Sequence, residues 1–273
     1  MNMKFGTSGL RGLVSELQGP VATRYAFAFA RYLLAKNLIK VGSSIFIAYD
    51  YRPSSTGIAA DCARGLKQAG LQPISCGAIP TPALAFYAME QRSPCLMVTG
   101  SHIPADRNGI KFYRPDGEID KIDEAAITQL ALDYASDRFD NLPIEIVDDE
   151  HAAIELFRAR NSTILAPMAL SGLKIGVYRH STVARDLLEN ILRGYGAEVT
   201  SLGHSESFIP VDTEAVSLDT VNMLREWTGK YQLDAVVSAD GDGDRPLISD
   251  ENGTPLRGDL IGLMTAKFLD AGT

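Results

Sequence analysis

The chain has 273 residues, 45% of them hydrophobic, which is enough for two domains with cores of their own. Its net charge of −8 argues against a nucleic-acid or anionic-membrane surface, so its basic residues are read as local devices. No apolar run reaches membrane-spanning length, no signal-like segment opens the chain, and Cys62, Cys76 and Cys95 form no CxxC pair. The expectation is a cytoplasmic protein with reduced thiols and no nucleic-acid or membrane partner.

The chain opens on Phe5-Gly6-Thr7-Ser8-Gly9-Leu10-Arg11-Gly12, glycines around two hydroxyls and an arginine. This reads either as a disordered end or as a loop that carries Arg11 to an anion. Pro20 begins a helix to about Ala35, with Ala22, Ala26, Phe29, Ala30, Leu33 and Leu34 as its apolar stripe. Ser44 to Tyr49 is a β-branched strand that ends at Asp50-Tyr51-Arg52-Pro53-Ser54-Ser55. A helix from about Gly57 stops at Gly70, Leu71 to Cys76 is a strand, and Pro82 to Glu90 is a short helix. Tyr113 to Asp120 reads as a hairpin around Pro115-Asp116-Gly117, and Ile122 to Ala135 as a helix. Asn141 to Asp149, with Pro143 and a run of acids, reads as a linker, and Glu150 to about Leu165 as a bridging helix.

From Gly172 the order repeats. Lys174 to Tyr178 is a strand, and Leu187, Leu188, Ile191 and Leu192 mark a helix that stops at Gly196. Glu198 to Leu202 is a strand closed by Gly203. The helix-stopping and strand-closing glycines lie seven apart in both copies (77 − 70 and 203 − 196). The chain is therefore read as α/β: two tandem related domains with mixed, mostly parallel sheets, over 1–140 and 141–257. Asp259 then opens a helix with Leu260, Leu263, Met264 and Phe268 on one face, read as the start of a third domain over 258–273.

Each copy delivers an apolar strand into a loop rich in chemistry. Cys95-Leu96-Met97-Val98 empties into a loop where Ser101, His102, Arg107 and Lys111 fall within eleven positions. That density of anion-compatible groups at a strand end, on an acidic chain, points to phosphate. The other reading is a polar surface loop. A serine hydrolase built on Ser101 would lack both a GxSxG elbow and a recognisable partner acid. In the second copy, Leu233 to Ala239 runs into Asp240-Gly241-Asp242-Gly243-Asp244-Arg245. Three alternate carboxylates can converge on a hard cation, and the glycines let the chain curl around it. An EF-hand is disfavoured, because Arg245 stands where that loop needs glycine and the flanks do not read as helices. A non-catalytic metal-binding module is the competing reading from a different class. His151, His180 and His204 show no ligand spacing, and Trp227 reads as a core anchor.

Thr7-Ser8-Gly9-Leu10-Arg11-Gly12, Thr99-Gly100-Ser101-His102 with Asn108-Gly109-Ile110-Lys111, and Asp240 to Arg245 resemble, in order, motifs of the α-D-phosphohexomutases. The resemblance implies that Ser101 is the phosphoserine of an enzyme that moves phosphate between C1 and C6 of a hexose. It implies a phosphomannomutase by overall similarity, with phosphoglucomutase or phosphoglucosamine mutase as alternatives. Asp240, Asp242 and Asp244 would hold Mg²⁺, with a phosphate oxygen on Ser101 completing the site. Arg11 and Lys111 would sit beside the phosphoryl group, Lys111 as a candidate for proton transfer and His102 as a polar neighbour. Thr7, Ser8 and Arg245 would contact substrate, a mannose or glucose 1- or 6-phosphate, and hexose 1,6-bisphosphate would act as activator. Ile103 departs from the asparagine common in the family. The sugar-reading and phosphate-binding loops of the family's third and fourth domains lie beyond Thr273. On that ground this chain is expected to turn over hexose phosphate poorly. The sequence leaves the oligomeric state open.

Overall fold

The structure, a computed structural model, describes residues 4–6, 9–134 and 146–270. They form two compact units, Met1–Phe157 and Arg158–Thr273, each with its own sheet. Among the described residues no helix is long and apolar enough to cross a membrane.

The first unit begins with β1 (Lys4–Phe5), β2 (Leu10–Leu13) and a single helical turn, α1 (Val14–Leu17). Then come α2 (Pro20–Ala35), β3 (Ser44–Tyr49), α3 (Ser55–Gln68), β4 (Gln72–Ser75), α4 (Thr81–Glu90) and β5 (Cys95–Val98). It continues through β6 (Arg107–Arg114), β7 (Gly117–Glu118), α5 (Lys121–Asp133) and β8 (Val147–Asp148), and α6 (Glu150–Asn161) spans the boundary. Strand order is β1-β2-β6-β5-β3-β4-β8, with β7 paired to β6. Strands β5, β3, β4 and β8 run parallel, whereas β6, β2 and β1 extend the sheet antiparallel. The sheet is mixed: the alternating strands and helices give the parallel part, and β6, β2 and β1 add the antiparallel part.

Helices cover both faces of this sheet. On one, the apolar stripe of α2 (Ala22, Ala26, Phe29, Leu33) packs with Ile58, Cys62 and Leu66 of α3 and with Ile127 of α5. Gly65 permits the close α2–α3 crossing, since a Cβ there would lie 2.0 Å from the Thr23 carbonyl oxygen. On the other face, Ala83, Leu84 and Tyr87 of α4 meet Ala153 of α6 over Phe46, Ala48, Cys95 and Met97. The three cysteines are buried and unbridged. Helix α5 starts with a reciprocal capping box between Asp120 and Asp123.

Three expectations are revised. The opening segment contains strands β1 and β2, because Leu10 is a fully buried core residue and its chain pairs along β6. Strand β6 starts at Arg107, so Lys111 is a strand residue rather than a loop residue. The described part of the linker segment adds β8 to the sheet edge, where Val147 and Asp148 are both exposed and leave no apolar pattern to read.

The second unit contains β9 (Lys174–Tyr178), α7 (Arg185–Gly194), β10 (Glu198–Leu202), α8 (Leu218–Tyr231), β11 (Ala235–Ala239), β12 (Pro246–Ser249) and α9 (Gly258–Phe268). Its strand order is β10-β9-β11-β12, with the first three parallel and β12 antiparallel to β11. This matches β4-β3-β5-β6 of the first unit strand for strand. The paired glycines match too: φ is 90° at Gly70 and 91° at Gly196, 65° at Gly77 and 57° at Gly203. These are left-handed positions that glycine fills without strain. Trp227 on α8 packs edge-on against Tyr178 at 5.2 Å and joins the core. Asp259 lies inside the first turn of α9, whose N-cap is Arg257, and α9 has no buried residue.

Candidate active site

In the first unit the functional loop joins β5 to β6. It leaves the sheet at Thr99, whose N–H donates to the Gly109 carbonyl at 3.0 Å, and tightens through Ile103 N–H to Gly100 O and Arg107 N–H to Pro104 O. Ser101 is 2% exposed and its φ is 52°, a left-handed conformation that L-residues other than glycine, asparagine and aspartate seldom adopt. Its Oγ lies 3.2 Å from His102 Nδ1. Lys111 lies in mid-β6 opposite Met97 and is 3% exposed. Arg11 on β2 stands opposite Gly109, and a Cβ there would lie 2.9 Å from Thr99 O and 3.1 Å from Arg11 Cγ. The predicted Ser101, His102, Lys111 and Arg11 thus gather around one end of β5 and β6. Thr7 and Ser8 lie outside the described residues.

Two residues to which the sequence reading assigned no role support this loop. Asp50, at the end of β3, accepts from Thr99 Oγ1 at 2.8 Å, Gly100 N at 3.3 Å, Ser55 Oγ at 2.5 Å and Arg52 N at 3.1 Å. Burial pushes its carboxyl up from the ordinary range, against the pull of Ser55, Arg52 and Thr99. Arg52, 2% exposed, sends its guanidinium into the Ser101 loop. Asn108 ties the same end together, donating to Ser54 Oγ and Ser55 Oγ at 2.9 Å each. The signal in sequence was the strand-terminal Asp-x-Arg followed by two serines, which resembles an ordinary turn.

In the second unit the loop from β11 to β12 brings Asp240, Asp242 and Asp244 together, one carboxylate oxygen of each lying within 4.8 Å of the others. Asp240 and Asp242 are buried and Asp244 is exposed. The backbone curls as the glycines require: Gly243 has φ 74°, its N–H donates to Asp240 O at 3.1 Å, and Arg245 N–H donates to Asp240 Oδ1 at 3.2 Å. Strands flank the loop on both sides, which removes the EF-hand reading. Three hard oxygen donors, two of them withdrawn from water, fit a cation such as Mg²⁺ with room for further oxygen ligands. Arg245 Nη1 lies 3.2 Å from Glu214 Oε2 and its Nε 4.0 Å from Asp244 Oδ1. The serine loop belongs to the first unit and the carboxylate loop to the second.

His180 braces the second loop. Its Nε2 donates to Ala239 O at 2.8 Å, and beside it Val183 N–H donates to Gly241 O at 3.1 Å. The ring is fully buried, and burial presses its pKa down to about 4, partly opposed by the Ala239 bond and reinforced by Arg185. An unfolded histidine titrates near 6.5. The unfolded chain therefore binds this proton first, and stability present above about pH 6.5 is lost as pH falls towards about 4, by on the order of 3 kcal/mol. The melting temperature of His180→Gln should accordingly fall less steeply over this window than that of the parent chain; equal slopes by circular dichroism would refute this.

The family model described as phosphoglucomutase/phosphomannomutase, alpha/beta/alpha domain I, matches residues 2–138. A phosphomannomutase of Sinorhizobium fredii is 52% identical over 274 residues, covering 99% of this chain and 58% of the relative. A phosphomannomutase of Salmonella muenchen is 43% identical, covering 98% of this chain and 55% of the relative. The chain thus spans somewhat over half the length of these curated relatives. A solved phosphoglucomutase/phosphomannomutase family protein from Burkholderia thailandensis shares the fold, with a TM-score of 0.77 at 21% identity over 96% of this chain and 58% of that one.

Proposed function

This chain belongs to the phosphoglucomutase/phosphomannomutase family, and from that premise we propose that it carries the phosphoserine and metal-binding parts of a phosphomannomutase. The observation that carries the reading is the buried, left-handed Ser101 at a strand end, with Lys111, Arg11 and His102 at the same end of the sheet. The choice of mannose rests on the 52% and 43% identities to phosphomannomutases.

In the loading step, Ser101 Oγ forms a bond to phosphorus as the bond from phosphorus to a sugar oxygen of hexose 1,6-bisphosphate breaks. The serine proton passes through Lys111 to the departing sugar oxygen. In the return step the phosphoryl group passes from Ser101 Oγ to the free C1 or C6 hydroxyl of an incoming hexose monophosphate, whose proton returns through Lys111 to Ser101 Oγ. The bisphosphate is regenerated, so phosphate moves between C1 and C6 with no net consumption. Serine provides a covalent station that lets the phosphoryl group re-enter at a different oxygen. Negative charge spreads over the phosphoryl oxygens during transfer, so the cations of Arg11 and Lys111 are suited to steady it. Asp240, Asp242 and Asp244 would hold Mg²⁺, which when bound supplies a positive charge that polarises phosphate oxygens.

Mannose 1,6-bisphosphate and glucose 1,6-bisphosphate, each with Mg²⁺, test the reading as phosphoryl donors to the purified chain. Release of hexose monophosphate in proportion to protein is expected, faster with the mannose compound. Failure of both donors would leave the carboxylate loop as a metal-binding module without catalysis.

A further inference from the structure

We propose that Arg52, anchored by Asp50, is the positioning residue that fixes the Ser101 backbone in its left-handed conformation and so sets the direction of the hydroxyl. The proposal rests on Ser101 being the phosphoryl carrier. Serine has no intrinsic preference for φ near 52°, and the left-handed region is disfavoured for L-residues, so surrounding groups must hold it there. Both flanking peptide groups are held. The Ser101 N–H donates to Thr99 Oγ1 at 2.7 Å, and that hydroxyl donates to Asp50 Oδ2 at 2.8 Å. The Ser101 carbonyl accepts from Arg52 Nη2 at 2.9 Å. The two rails meet in an ion pair, because Arg52 Nε lies 3.3 Å from Asp50 Oδ2 with both side chains fully buried.

The same guanidinium also donates to Ile103 O at 2.6 Å, Pro104 O at 2.8 Å and Arg107 O at 3.0 Å. Three carbonyls of the loop and that of the first residue of β6 therefore converge on one planar cation. An ordinary surface loop satisfies such carbonyls with water, and burying a charge for the purpose is expensive unless a fixed geometry is needed. The planar fork matters, since an ammonium offers no such spread of directions. Gly100 makes room for it: a Cβ there would lie 2.5 Å from Arg52 Cζ.

The test uses the full chain, glucose 1,6-bisphosphate and Mg²⁺, and two variants. Arg52→Lys keeps the charge and loses the fork; Gly100→Ala leaves Arg52 and Asp50 chemically intact but displaces the guanidinium, and it decides the matter if Arg52→Lys does not fold. Each should slow the maximal rate of phosphoryl uptake by about tenfold or more, with the half-saturating bisphosphate concentration little changed, as expected for lost orientation rather than lost binding. The Ser101 ¹³Cα and ¹³Cβ chemical shifts should report a left-handed residue in the parent chain and lose that signature in the variants. A role confined to stability would move the melting temperature and leave these shifts in place. Parent-like uptake and shifts in a folded variant, or a parent Ser101 that is not left-handed, would overturn the proposal. If the parent chain takes up no phosphoryl group, the mutase reading fails instead, and the shifts alone decide the role of Arg52.

Discussion

Asp242→Asn is expected to weaken Mg²⁺ binding by about 100-fold or more and to stop phosphoryl uptake, while the metal-free protein melts no lower than the parent. The first effect follows from removing one of three hard oxygen charges from a small cation site. The unlowered melting temperature follows from the geometry without metal, where three carboxylates within 4.8 Å repel one another and two are shielded from water. Neutralising one relieves that repulsion. Calorimetric titration with Mg²⁺ and thermal melts with and without the ion separate the two. The parent should gain stability on adding Mg²⁺, in proportion to the logarithm of its concentration above Kd, and the variant should not. Parent-like Mg²⁺ affinity, or a metal-free variant that melts well below the parent, would mean that the carboxylates brace the loop rather than hold a cation.

Lys111→Met is expected to reduce phosphoryl uptake by about 10²- to 10⁴-fold with the fold retained. The side chain is 3% exposed on a core strand, and methionine replaces its length and most of its packing without the charge. A single-turnover measurement with the bisphosphate, alongside the far-ultraviolet circular dichroism spectrum, checks both halves. Unchanged uptake in a folded variant would remove Lys111 from the chemistry.

Much of this architecture was legible in the chain because its signals are local. The apolar run Cys95–Val98 is buried on every residue, so periodicity found β5 and the loop that leaves it. The carboxylate loop announced itself by alternation of aspartate and glycine. The repeat was visible because Gly70 and Gly196, then Gly77 and Gly203, must adopt positive φ wherever the pattern recurs. What escaped depends on contacts between remote segments. Strand β2 is four residues of mixed burial, made a strand by its partner β6 rather than by its own pattern. Arg107 opens β6 although its sequence neighbours read as turn residues. Asp50 and Arg52 carry no local mark that sets them apart from an ordinary turn: their importance comes from bonds to residues some fifty positions away. Burial of an aspartate and an arginine side by side at a strand end cannot be inferred from a stretch that also spells a common turn.

The reading of Ser101 as a phosphoryl carrier is tested most directly by mapping the phosphate. The chain is incubated with hexose 1,6-bisphosphate and Mg²⁺, digested, and its phosphopeptides sequenced by mass spectrometry. One phosphoryl group per chain on Ser101, absent from Ser101→Ala, is the expected result. Phosphate on another residue, or equal uptake by Ser101→Ala, would contradict it.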